Sequence, residues 1–317
     1  MKMCSGAKVA SILCTLAIVL HCLAPPEASA DVSLKVWPTT LEMTVSEGQT
    51  AELVVNVENA GDEIVRLSVY AMDYTVDRDG NYSFSEPVHD TYSCAAWISP
   101  DASVFDLAPG ETRATTVSIS VPENIEPGEH HSAVFFEQLS DVSQGTSVSV
   151  GARMACLLYV TIPRVTDAEV TTDANIAQVI LPGWAEGSHV NIGALIRNSG
   201  NVHLTLAARA YLTNFRGSPI GEADLGQAVI LPGGERLLEA TWADLPLFGR
   251  VSARVVIGYH DSQGELVNKE TSVNFQVVPW KTIMVVVLCL TIIGLAVFIV
   301  VRRFRFRLAL ERRCPPY

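Results

Sequence analysis

The sequence predicts an all-β protein: two tandem Ig-like antiparallel β-sandwich domains followed by one C-terminal transmembrane α-helix. Apolar and polar residues alternate through most of the chain, and Gly, Pro and Asn turn formers recur between the alternating runs. One uncharged apolar run of twenty residues, Thr282 to Val301, breaks that pattern near the end.

The elements follow in order. Lys2 and Lys8 precede an apolar stretch from Val9 to Leu20, and Ala28-Ser29-Ala30 stands before Asp31. A basic start, a short apolar core and a small-residue site describe a secretory signal, so residues 1–30 are expected to be removed between Ala30 and Asp31.

The next 249 residues, 31–279, are written in period two. Ala51, Leu53, Val55 and Val57 alternate with polar partners, as do Thr115, Val117, Ile119 and Val121. The pattern returns at Val190, Ile192, Ala194 and Ile196, at Val251 through Tyr259, and at Val273, Phe275 and Val277. Successive strand residues face opposite ways, so each run predicts a strand with one buried face. Glu47-Gly48, Asn59-Ala60-Gly61, Asp79-Gly80-Asn81, Pro109-Gly110, Asn198-Ser199-Gly200 and Pro232-Gly233-Gly234 supply turns.

The same order of features occurs twice. A strand, Asn59-Ala60-Gly61, a strand and then Phe105 to Glu111 answers to a strand, Asn198-Ser199-Gly200, a strand and then Val229 to Glu235. We therefore expect one sandwich over 31–165 and a second over 166–279, a size that suits two ordinary domains.

After Trp280 and Lys281, the run 282–301 covers roughly the 30 Å bilayer core at about 1.5 Å per residue. Arg302, Arg303, Arg305 and Arg307 follow at once and form the stop-transfer signal, which places the tail 302–317 in the cytoplasm and the sandwiches outside. Residues 31–279 hold thirteen Lys and Arg against thirty-two Asp and Glu, a net charge of −19. So acidic a surface argues against nucleic acid as a partner.

Residues 38–137 carry Glu47-Gly-Gln-Thr50, Val57-Glu-Asn-Ala-Gly61, Asp79-Gly-Asn81-Tyr82, the stretch Phe105 to Glu111, Val121-Pro122, and Pro127-Gly128 leading into Ala133-Val-Phe-Phe136. In these motifs the chain resembles the WxL-interacting protein family of bacterial surface proteins. The resemblance implies a first Ig-like domain associated with peptidoglycan binding, a second Ig-like domain, a membrane helix and a short basic tail.

Sites of chemistry are few. No G-x-S-x-G elbow, H-E-x-x-H helix, phosphate-binding loop or paired-Cys metal motif occurs, so no enzyme activity and no cofactor are expected. Asp77, Asp79, Gly80 and Glu86 match positions of a calcium loop, but Thr75 stands where its first ligand belongs. Asp79-Gly80-Asn81 also meets the needs of a tight hairpin, which is the favoured reading. His130-His131 reads as a solvated turn edge rather than a metal handle, since neighbours on a strand point apart. Trp97, Trp184 and Trp242 read as packing residues, with a sugar-stacking face as the rival. Of seven cysteines only Cys94 and Cys156 lie in 31–279; a disulfide between them and a pair of free thiols, with Cys156 buried, are both open.

These features together indicate a non-enzymatic, membrane-tethered binding or adaptor protein of the cell envelope. Its expected partners are the membrane, peptidoglycan or an extracellular protein. The alternative is a chaperone-like or structural protein that pairs an edge strand with an extracellular partner.

Overall fold

A computed structural model describes residues 33–87, 91–139, 152–163 and 170–311, with helix side chains as far as Arg303. The expected cleavage point at Ala30 and Asp31, the side chains of Arg305 and Arg307, and the expected domain junction near 165 lie outside the described residues.

The first half contains β1 (Leu34–Trp37), β2 (Thr40–Thr44), β3 (Thr50–Asn59), β4 (Val65–Val76), β5 (Tyr82–Ser85), β6 (Ile98–Pro100), β7 (Val104–Leu107), β8 (Thr112–Ser120), β9 (Gly128–Gln138) and β10 (Arg153–Ile162). Strands β1-β3-β8-β6 form one sheet and β2-β10-β9-β4-β5 the other, with β7 also on β4. The chain changes sheet between β1, antiparallel to β3, and β2, parallel to β10. Pro38 stands at that change, and with no N–H to donate it cannot prolong the β1 ladder.

The second half contains β11 (Ala174–Ile180), β12 (Trp184–Ala185), β13 (His189–Asn198), β14 (Leu204–Asn214), β15 (Pro219–Ile230), β16 (Glu235–Ala243), β17 (Gly249–His260) and β18 (Leu266–Val277). Its sheets run β11-β13-β16 and β12-β18-β17-β14-β15. No strand of one half enters a sheet of the other among the described residues. The alternation is realised as burial: Val55, Val57, Val117 and Ile119 point into the first sandwich, and Val251, Ala253, Val255, Ile257 and Tyr259 into the second. Among the described residues the fold is thus all-β with one α-helix, α1 (Trp280–Glu311), whose stretch Trp280–Arg303 is long and apolar enough to cross a membrane.

The repeated Asn-x-Gly corners become the same structure in both halves. Buried Asn59 donates through Nδ2 to the carbonyls of Glu63 (2.7 Å) and Leu107 (3.0 Å), and its Oδ1 accepts from Gly61 N–H at 3.0 Å. Buried Asn198 donates to the carbonyls of Val202 (2.8 Å) and Ile230 (2.9 Å), and accepts from Gly200 N–H at 2.8 Å. Each amide pins its own turn to the end of a strand distant in sequence, β7 for Asn59 and β15 for Asn198, and satisfies the carbonyls there.

Candidate functional site

Strand β9, Gly-Glu-His-His-Ser-Ala-Val-Phe-Phe-Glu-Gln, is buried on both faces for its first nine residues. Val134 and Phe136 face the sandwich core, whereas Ala133 and Phe135 face outward and join Tyr74, Tyr159 and Leu231 in a separate apolar cluster. His130 and His131 are therefore both buried, which corrects the expectation of a solvated turn edge. His130 packs on Trp97 with ring centres 4.7 Å apart, and His131 meets Tyr74 edge-on at 4.9 Å. Burial lowers the pKa of His130, so it sits neutral against the Glu126 carbonyl at 3.0 Å.

The outward cluster is the join between the two sandwiches. Leu231, in the turn between β15 and β16, inserts into the outer face of β9 and β10. Beside it, Glu129 of β9 accepts from His203 N–H at 3.1 Å and pairs with His203 Nδ1 at 2.5 Å. The His203 ring stacks on Tyr159 at 4.3 Å, with Glu42 3.7 Å from Nε2. Burial alone would lower the His203 pKa, but the hydrogen bond and charge of Glu129 and the charge of Glu42 outweigh it and raise it. The β4–β5 turn completes the join: Arg78 O accepts from Leu237 N–H at 2.7 Å, and Arg236 reaches the Asp77 carbonyl at 3.4 Å. A cavity of about 230 Å³ remains between the halves, lined by Asp73, Tyr74, Ser93, His131 and the Leu231–Gly234 turn. It has room for several waters and none for a macromolecule.

Away from the join, the same outer face stays open as an aromatic strip. Tyr70 and Phe135 stack at 5.7 Å, Phe84 meets Phe135 edge-on at 4.9 Å, and Tyr82 stacks on Phe84 at 6.2 Å. Tyr82 and Phe84 remain 46% and 37% exposed. The Arg153 guanidinium lies 3.8 Å over Phe135 and 5.5 Å over Tyr70, a cation–π arrangement that caps the strip. Burial and the hydrogen bond from Tyr70 to the Glu137 carboxylate push the Tyr70 hydroxyl up to about 12.

The strip ends at an open strand edge. Gln138 N–H donates to Ala152 O at 2.9 Å, so even-numbered β10 residues bond to β9. Leu157 N–H turns the other way and donates to Thr39 O at 2.9 Å, opening the ladder with β2. That ladder covers only Leu157 to Thr161. Arg153 and Ala155 thus present their outward backbone groups where no described strand pairs with them.

The residues singled out in the sequence do not converge here. Asp77 Oδ1 accepts from the N–H groups of Asp79 (3.0 Å) and Asn81 (2.8 Å), and Oδ2 accepts from Asn81 Nδ2 at 2.9 Å. Those bonds, that of the Asn81 side chain first, lower the Asp77 pKa. Its carboxylate is spent closing the β4–β5 hairpin, and Gly80 takes the positive φ of +96° that the turn requires. Among the described residues no three His, Cys, Asp or Glu side chains gather as a metal-binding group. Cys94 and Cys156 are both free and buried in different core clusters, so of the two open readings the structure contains the thiols and not the disulfide. Cys94 Sγ donates to Ser132 Oγ at 3.2 Å. Burial pushes the Cys94 thiol up to about 12 and that of Cys156 to about 11, which makes both unreactive. Trp242 is buried and Trp97 partly so, but Trp184 is exposed, contrary to the packing role expected of it.

No protein-family profile and no curated protein matches the chain. Among solved structures, a chain of a chaperone–tip adhesin complex of CFA/I fimbriae biogenesis shares 14% identity, covering 78% of this chain and 99% of that one at a TM-score of 0.40. The YadV chaperone shares 10% identity over 76% of this chain and 99% of its own, TM-score 0.41. The CupB2 chaperone of Pseudomonas aeruginosa shares 12% over 75% and 100%, TM-score 0.39.

Proposed function

We propose that this chain is a non-enzymatic binding protein of the cell envelope, tethered by α1, that captures an extended segment of an extracellular protein along the open edge of β10. The observation that carries this reading is the coincidence of two features. The unpaired backbone groups of Arg153 and Ala155 lie at the margin of the Tyr70, Phe84, Phe135 and Tyr82 strip. An added strand would gain ladder hydrogen bonds from the first and side-chain pockets from the second, the two components of β-augmentation.

Ala155 allows a clean test. Its N–H points away from β9, so Ala155→Pro removes an outward donor and leaves the β9–β10 ladder whole. A photo-crosslinking residue at Met154 on intact cells should trap a secreted or surface protein. The trapped segment, made as a peptide, should bind the full chain and lose that binding in A155P. Binding unchanged in A155P would refute edge pairing.

The second reading follows from the resemblance to the WxL-interacting family, in which the first sandwich binds peptidoglycan. Its support here is the same aromatic strip, since rings stack on sugars. Sedimentation with insoluble peptidoglycan, retained at about 0.5 M NaCl where surface charge is screened, and lost on substituting Tyr82 and Phe84 by Ser, would favour it over the edge.

A further inference from the structure

The end of the second sandwich from which α1 departs carries a group of exposed apolar loop tips. We infer that this end is a membrane platform: the loops between β14 and β15 and between β16 and β17, together with Trp184, insert into the outer-leaflet interface of the bilayer that α1 crosses. The inference rests on the reading of α1 as a membrane-spanning helix.

The strand register places these tips at one level. Val277, the last residue of β18, pairs with Gly249 on one side and with Ala185 on the other. Phe248 stands one residue beyond that rung and Trp184 one residue before it, opposite Gln276, and α1 begins three residues beyond it at Trp280. Phe215 adjoins them, its Cδ1 lying 3.9 Å from where a Cβ on Gly249 would sit. Leu247 is 85% exposed, Phe248 73%, Phe215 67% and Trp184 57%. Leu247 and Phe248 are the two most exposed large apolar residues outside the helix among those described. Water is a poor solvent for such a ring of side chains, and the bilayer interface, where Trp and Phe concentrate, is the apolar medium next to them.

Two further observations bring this end down to the membrane. The link from sandwich to helix is only Val278-Pro279, and it is bonded rather than loose: Val278 N–H donates to Ala185 O at 3.0 Å, and Lys281 N–H to Glu186 Oε1 at 2.7 Å. The 24 residues Trp280–Arg303 rise about 36 Å, enough to set Arg302 and Arg303 at the inner interface when Trp280 sits at the outer one. Charge also fits. The ectodomain sequence is strongly acidic, yet Arg216, Arg250 and Lys281 stand on this rim against Asp244 and the already bonded Glu186. The Arg216 guanidinium lies 5.2 Å over the Phe215 ring, a long basic side chain beside an aromatic as at a headgroup boundary. Seated this way, the sandwich has a fixed height, and its twelve-residue strands lift the first sandwich roughly 40 Å off the lipid.

The test is quenching of tryptophan emission in the full chain reconstituted into vesicles whose phospholipids carry bromine on the upper part of the acyl chain. Difference spectra between wild type and W280F report the helix, and those between F248W or L247W and wild type report the loop. Two loop variants at exposed positions guard against one of them misfolding. If the inference holds, the loop tryptophans lose most of their emission in brominated vesicles, as Trp280 does. Quenching of Trp280 with full emission from both loop tryptophans overturns the platform and leaves the spanning helix in place. Full emission from Trp280 as well means that the spanning reading has failed and the platform with it.

Discussion

Replacing Asn59 or Asn198 by Ala should cost nearly the same stability, because the two corners are built from the same three hydrogen bonds. At Asn198 the substitution removes two donors to the Val202 and Ile230 carbonyls and one acceptor for Gly200 N–H. A net value of about 0.5–1.5 kcal/mol per bond, and about 1–3 kcal/mol for each buried carbonyl left without a partner, brackets the loss. A water entering the vacated space recovers part of it, so we expect about 2–4 kcal/mol at each corner. For sandwiches of this size that is a fall in melting temperature of about 8–16 °C. The assay is urea and thermal unfolding of residues 31–279 followed by circular dichroism, with the midpoints of N59A and N198A compared. Asn59→Asp separates shape from bonding: it keeps the volume but cannot donate, and it brings a buried charge, so it should cost at least as much as Ala. A loss below about 0.5 kcal/mol at both positions, or a neutral N59D, would refute the view that these amides pin the distant strand ends.

Four further outcomes are expected. The folded-state pKa of His203 is raised, so its pairing with Glu129 stabilises the join fully below the unfolded value near 6.5 and that contribution fades as pH rises through the higher folded pKa; Glu129→Gln should remove the pH dependence of the melting of residues 31–279 in that window. Gly200→Ala should destabilise strongly, because its Cβ would lie 2.2 Å from the Thr171 carbonyl oxygen, a backbone atom that cannot step aside; unchanged unfolding would contradict the close approach. Asp77→Ala should lower the melting temperature to the same extent with and without millimolar calcium, since its carboxylate closes the hairpin; a calcium-dependent rise in the wild type that this variant abolishes would restore the ion-site reading. Alkylation of unfolded, non-reduced protein should modify both Cys94 and Cys156, whereas the folded protein should react slowly at either; a bonded pair by mass spectrometry would overturn the free thiols.

What the sequence by itself determined is what depends on neighbours along the chain. Burial of one face shows as period two, so the strands through Val55, Val117, Ile192 and Val255 were legible from a few residues each. The Asp79-Gly80-Asn81 hairpin was legible because turn geometry is a local demand on φ, and the helix because twenty apolar residues in a row have few other homes. Tertiary structure decided whatever depends on what covers a strand from outside. The pair His130-His131 read as a turn edge in the sequence, yet His130 turns inward onto Trp97, and the docking of Leu231 and His203 onto the outer face of β9 covers His131. The corner asparagines looked like turn formers, and their three-way bonding appears only when a strand end some thirty to fifty residues away meets them. The open edge of β10 was invisible for the same reason: an edge is the absence of a neighbour, and hydrogen bonds between strands are made by backbone groups that every residue shares. Side-chain pattern therefore reported which way each strand faces, and only the assembled sheets settled which strand stands beside it.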